Sequence, residues 1–462
     1  MNNNTQENEL PAPRRVLGLG SLLAVAVGLV VSQGVMMLML QGVGMAGIAF
    51  LIPLFMGFIL ALTYALSFSE LALMIPRAGS LSSYTKVALG QFPAILSVFS
   101  GYVTVAMFAL SAELLLLDLI VNKVYPGIFP SMSVAYGVLA IFTVLNLLGI
   151  DVFAKLQSVL AFIMVTALLA LGLTAITGSG VSAPLEINLS TDWNPLGLGV
   201  LALVAMAIWG FVGVEFVCPL VEESQKPERN IPWSMILGIS IIFVTIAIYS
   251  IGALRYVPRE ELTSNVLPHY LFATSVFGEK GKILLIAAAF TATCSTLNSS
   301  LAAIPRMLHG MAMRGQAFPI FKRLSKHYGE PWVAVLFVAM ITGVPVLLMG
   351  DTPDSIGLLL LAAAIAWLLA YIICHLNVMV LRYRYPDVHR PFRSPLYPVP
   401  QVVGVLGMGT AIYYVSPSED VTLQIFLSAG GVLGLISVAA IIWLKFFMRK
   451  PLFKPEPLES VL

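Results

Sequence analysis

The sequence predicts an all-α polytopic membrane protein of twelve transmembrane helices, built as a five-plus-five inverted repeat with two helices appended. Three observations predict it. The chain of 462 residues is 59% hydrophobic and only 10% charged, against roughly 25% charged for soluble domains, so no soluble core would hide its apolar surface. Membrane-length apolar runs fall at about 16–43, 46–70, 92–121, 132–149, 156–177, 196–221, 234–254, 281–312, 332–350, 355–381, 399–416 and 422–447. If the chain starts inside, 20 of its 25 basic residues lie in the inner connections, and only Lys123, Arg255, Arg259, Lys280 and Lys282 lie outside. The positive-inside rule then puts both termini in the cytoplasm and the chain in the cell membrane.

The first span reads LLAVAVGLVVSQGVMMLMLQGVG and is interrupted near its middle at Ser32, Gln33 and Gly34. Two small or polar residues beside a glycine favour local unwinding. The sixth span is interrupted in the same way at Gly210 and Gly213 and carries a lone acid, Glu215. Interrupted helices at corresponding places in two halves point to an inverted-repeat transporter. Residues 16–177 and 196–381 are then the two repeats, 399–447 the two added spans, and 1–15 and 448–462 a cytoplasmic arm and tail. This symmetry rests on hydropathy and on the breaks alone.

Polar residues within the spans give the candidate site. A carboxylate at membrane depth is costly unless it meets a cavity or a partner, which marks Glu215 and Glu113. On the third span Tyr102, Ala106, Ala109 and Glu113 share one helix face, placing Ala106 and Glu113 toward the bundle and Glu113 within reach of a substrate ammonium group. Glu70, at the end of the second span, reads as a structural ion pair or cap. The eighth span holds seven small polar residues between 291 and 300, a face suited to a water-filled path or a small hard cation. The charged loop 222–232 reads as solvated, with Glu222 and Glu223 placed to pair with loop cations at an inner gate. The four arginines of 381–400 would hold that segment at the headgroup surface.

Several classes are excluded. A net charge of +2 does not suit electrostatic nucleic-acid binding. Cys218, Cys294 and Cys374 lie far apart in apolar segments without metal-ligand spacing. No P-loop, metal motif or catalytic set is present, so the chain is expected to be no enzyme and to carry no cofactor, and uphill transport must draw on another gradient or on exchange.

Four motifs carry a resemblance: Trp209, Phe211, Gly213 and Glu215 followed by Glu222, Glu223, Pro227, Arg229 and Pro232; the stretch Ser69 to Ser80; the stretch Arg306 to Pro319; and the stretch Arg384 to Pro395. With these four in the family's order along the chain, beside twelve spans, the chain resembles the amino acid–polyamine–organocation (APC) superfamily. The resemblance implies a LeuT-like fold, alternating access, and a substrate site between spans one, three, six, eight and ten. It implies that Ser32, Gln33 and Gly34 clamp a substrate carboxylate, that Phe211, Val212 and Gly213 offer carbonyls to an ammonium group, that Trp209 is an aromatic gate and that Glu215 senses protons. Proton-coupled relatives often carry a lysine in the fifth span where Met164 stands here. Without it, Ser295, Thr296, Ser299 and Ser300 are a sodium site, or the protein exchanges substrates.

The expected function is secondary transport of an amino acid or a close derivative, with a proton or sodium as coupling ion or by exchange. The rival is a polyamine or organic-amine transporter, because two pathway acids suit a diamine. A non-transporting sensor or subunit is the remote alternative.

Overall fold

In lipid an open segment satisfies its own backbone only as a helix, and the apolar runs of this chain form helices. The computed structural model describes residues 15–76, 80–149, 153–187, 197–349 and 353–461. The N-terminal arm and part of the turn after Pro76 thus lie outside the described residues. Among those described, seven helices are long and apolar enough to cross a bilayer: Ile48–Met74, Gln91–Val124, Gly199–Glu223, Pro227–Leu254, Glu279–Met313, Ser355–Arg384 and Glu419–Met448. Leu19–Val30 and Gln33–Ala46 form a further span bent by 62°. Four shorter apolar helices, Ser133–Leu147, Phe162–Thr177, Trp332–Leu348 and Val399–Tyr413, stand where the sequence predicts the fourth, fifth, ninth and eleventh spans.

Both predicted breaks are present. The first falls at Val31 and Ser32, which are extended, and the Ser32 side chain caps the helix Gln33–Ala46 by accepting from the Val35 N–H at 3.3 Å. In the sixth span the helix Val204–Trp209 ends in a turn, and the chain resumes at Val214–Glu223 in tighter 3₁₀ form. Gly213 makes that turn with φ +115°, a conformation a side chain resists. The third span has an unpredicted feature: Phe99–Thr104 and Ala106–Leu110 are wound as π-helix, a form that recurs at functional sites.

Three expectations about the connections change. The seventh span begins at Pro227, inside the predicted loop, because proline at the first helical position loses no hydrogen bond. Glu222 and Glu223 are exposed and, among the described residues, form no ion pair; the main chain makes that contact instead. Leu17 N–H donates to Glu223 O at 3.0 Å and Gln225 N–H to Leu17 O at 2.8 Å, tying the entry of the first span to the exit of the sixth. The arginines after the tenth span turn largely toward the protein. Arg382 and Arg390 meet Glu70, and Arg384 donates to Val87 O at 2.6 Å. Glu70 is thus the ion-paired group its position suggested.

Candidate functional site

The two breaks face one another across a buried cavity. Its walls include Leu29, Val30 and Ser32 at the first break, and Trp209 and Val212 at the second. The predicted third-span face, Tyr102, Ala106, Ala109 and Glu113, lines it in full, with Thr296 and Ser300 from the eighth span and Trp367 from the tenth. The space is about 40 Å³, room for a few water molecules, so a larger solute enters by parting these walls. A larger cleft lined by Arg15, Pro76, Glu222 and Glu228 opens at one end of the bundle, and another lined by Gly44, Leu185, Arg259 and Thr263 at the other.

At the first break the freed backbone donors are already engaged. Glu113, 2% exposed, accepts from Gln33 N–H at 3.0 Å and from Gly34 N–H at 2.7 Å, one on each carboxylate oxygen. A helix N-terminus carries partial positive charge and unpaired N–H groups, which is why an acid is stable there. The approach needs the glycine, since a Cβ on Gly34 would lie 2.9 Å from Glu113 Oε1. The Gln33 side chain turns toward the eighth span and donates to Thr293 Oγ1 at 2.5 Å, leaving its own Oε1 buried without a partner.

At the second break Glu215 is held by three donors: Tyr371 O–H at 2.7 Å, Trp367 Nε1–H at 3.1 Å and Gly213 N–H at 3.1 Å. Tyr371 stacks on Tyr64 with ring centroids 4.1 Å apart, and the Tyr64 hydroxyl donates to Phe211 O. The carboxylate therefore ties the break to the tenth span, and the tyrosine pair extends the tie to the second. Phe211 is fully buried and offers its carbonyl to Tyr64 rather than to the cavity. Trp209 meets Trp367 edge-on at 5.8 Å, closing one side of the cavity with aromatic surface.

The eighth-span hydroxyls divide. Ser295 donates to Gly28 O at 2.9 Å, across to the first span, and Ser299 donates back to Ser295 O at 2.7 Å. Thr296 and Ser300 line the cavity, and the Thr296 hydroxyl is buried without a partner. Met164 is buried in the fifth span. Sequence reasoning named the acids but missed the Glu215 partners Trp367 and Tyr371 and the Tyr64 that stacks on Tyr371. The spacing of Trp367 and Tyr371, one turn apart on the tenth span, is the signal that would have found two of them.

Comparisons with known proteins agree with one another. A family model described as amino acid permease matches residues 17–446. The aromatic amino acid transport protein AroP of Salmonella typhimurium is 26% identical over 377 residues, which cover 78% of this chain and 80% of that one. YtnA of Bacillus subtilis, described as an uncharacterized amino acid permease, is 25% identical over 402 residues, covering 82% of this chain and 84% of that one. A solved structure of a manganese transporter mutant from Eremococcus coleocola superposes with a TM-score of 0.57 at 13% identity, covering 93% of this chain and 94% of that one. At that identity the likeness speaks to fold alone, and the fold is LeuT-like.

Proposed function

The chain belongs to the amino acid permease family, and from that premise we propose that it moves an amino acid or a close derivative across the cell membrane by alternating access. The observation that carries the reading is the cavity enclosed between two broken spans, with a separate cleft at each end of the bundle. Backbone groups freed at membrane depth are tolerated where they line a cavity or bind something. Relatives such as the aromatic amino acid transport protein AroP support an amino-acid-like solute. The residues 16–177 and 196–381 act as two repeats rocking about this centre, and both termini are cytoplasmic, as the basic residues demand.

In this reading Ser32, Ala106, Trp209 and Val212 surround the solute, Gln33, Gly34, Phe211 and Gly213 shape the two breaks behind them, and Glu215 carries the proton-linked step. Its three donors join the sixth span to the tenth, so any change in its charge is felt at the break. The open hydroxyl of Thr296, with Ser300 beside it, is the part of the eighth-span set free to meet a cation or the solute.

Counterflow in liposomes preloaded with a mixture of amino acids and amines tests the transport reading without assuming a driving ion. Gly213→Leu is the paired variant: a Cβ there already lies 2.6 Å from Leu29 Cδ2, at a φ of +115°. The variant is expected to insert and fold while counterflow falls by about a hundredfold, the scale at which misplacing a site by an ångström acts. Unchanged flux would remove the sixth span from the pathway.

A further inference from the structure

We propose that Glu113 is a built-in carboxylate occupying the anion position of this site, and that the solute carried is an organic amine with no free carboxylate beside its amino group. This deepens the transport reading above and rests on it.

The argument starts from the four N–H groups that open the helix Gln33–Ala46. A helix N-terminus leaves four such donors without intrahelical partners, and they are the natural seat of an incoming carboxylate. Here the three that lie within the helix, on Gln33, Gly34 and Val35, are satisfied from within the chain, and Met36 N–H makes the first bond of the helix itself. Gln33 and Gly34 donate to Glu113 at 3.0 and 2.7 Å, Val35 donates to Ser32 Oγ at 3.3 Å, and Met36 donates to Ser32 O at 3.1 Å. Among the described residues lining the cavity there is no lysine, arginine or histidine. A second carboxylate would arrive beside Glu113 with these helix donors already taken and no lining cation to offset the repulsion between like charges.

The acceptors tell the opposite story. The N–H groups that would close the helix onto the carbonyls of Leu29, Val30 and Val31 are those of Gln33, Gly34 and Val35, which are engaged elsewhere. Leu29 and Val30 line the cavity, so the negative end of one half-helix faces it. Thr296 adds an unpartnered hydroxyl on the facing wall, and Gln33 Oε1 is a further unpartnered acceptor buried at the break. Glu113 itself supplies the charge. The remaining walls, with Tyr102, Val105, Leu110, Phe216, Ile304 and Trp367, are apolar or aromatic. The chemistry that fits is an ammonium group with an apolar or extended body.

Matched pairs decide it. Binding is measured on the purified full chain in detergent, by thermal stabilisation and by isothermal titration, for phenylalanine and phenethylamine, lysine and cadaverine, and serine and ethanolamine. The methyl ester of each amino acid is included, since it keeps the amine and loses the carboxylate charge. For the pair that fits the site, amine and ester are expected to bind about tenfold or more tightly than the amino acid. Glu113→Ala opens the anion position, so the amine is expected to weaken about tenfold and the amino acid to gain. Glu113→Gln, which keeps one acceptor and loses the charge, is expected to show the same crossing with the bundle intact. An amino acid that outbinds its own amine, and gains nothing from either variant, overturns the proposal and leaves the transport reading standing. Failure of every compound to bind, together with absent counterflow, overturns both.

Discussion

Four carboxylates are buried to 2% exposure or less among the described residues. Asp118 accepts from the N–H groups of Met132, Val134 and Ala135, and Glu70, Glu113 and Glu215 are each stabilised in a different way. Glu113 sits on main-chain donors and Glu215 on side-chain and main-chain donors together. Glu70 has full counter-charge: Arg382 Nε and Nη2 at 2.8 and 2.6 Å, Arg390 Nε at 3.3 Å, and Ser394 N–H at 2.8 Å. This bidentate pair fastens the segment after the tenth span to the end of the second. Removing one member of a buried pair leaves the other charge uncompensated, at a cost of about 3–5 kcal/mol. Glu70→Gln is therefore expected to lower the thermal unfolding midpoint markedly while leaving the selectivity of the remaining folded protein unchanged. An unshifted midpoint would show that the arginines find water instead.

Between elements, what matters is what each break is tied to. The first span is tied to the third through Glu113 and to the eighth through Ser295 and Gln33, and the sixth is tied to the tenth through Glu215. The C-terminal tail makes a comparable tie at the surface. It runs back along the helices Ser80–Ala88 and Gln91–Val98, where Phe92 N–H donates to Leu452 O at 2.9 Å and Glu456 N–H to Lys86 O at 3.0 Å. Glu456 accepts from Gln91 and Lys450, each at 2.6 Å, and faces Lys86 at 3.4 Å. Burial pulls the Glu456 carboxyl up, but hydrogen bonds and charge from Lys450, Gln91 and Lys86 outweigh it and hold the group below its usual range. A carboxyl lowered in the docked state favours docking above the ordinary value of about 4.3 and loses that contribution as pH falls through the lowered value. A spin label on Lys454→Cys is expected to stay immobile from neutral pH down to about that value and to loosen below it. Glu456→Gln should loosen it at neutral pH. A label equally mobile in both proteins at every pH would mean that the main-chain contacts alone hold the tail.

At the scale of the whole molecule, the proposed transport through a closed centre between two end clefts works by a change in the side of access. Cys218, Cys294 and Cys374 are buried, so single cysteines placed in the clefts report without much background. Glu222→Cys and Thr263→Cys, one in each cleft, are expected to change their labelling rates in opposite directions when a transported solute is added. Rates that rise or fall together would exclude alternating access. In the proposed cycle the main-chain pairing of Leu17 with Glu223 and Gln225 is the contact placed to latch the cleft near Arg15, in place of the acid pairs expected from the loop.

The sequence by itself determined the class, the apolar helices and the two breaks. Those follow from local causes: apolar length, and glycine and serine at membrane depth. It also put Tyr102, Ala106, Ala109 and Glu113 on one face, because helical spacing alone does that. What only the tertiary structure decided is which donor each buried acid found. Glu113 meets Gln33 and Gly34 across about 80 residues of chain, and Glu215 meets Tyr371 across 156. Such pairings depend on how helices pack and turn, which no local pattern encodes. The early start of the seventh span and the inward turn of Arg382, Arg384 and Arg390 have the same origin. A proline or an arginine read in isolation signals a loop or a headgroup, whereas in the folded chain a free helix start and a buried carboxylate competed for them and won.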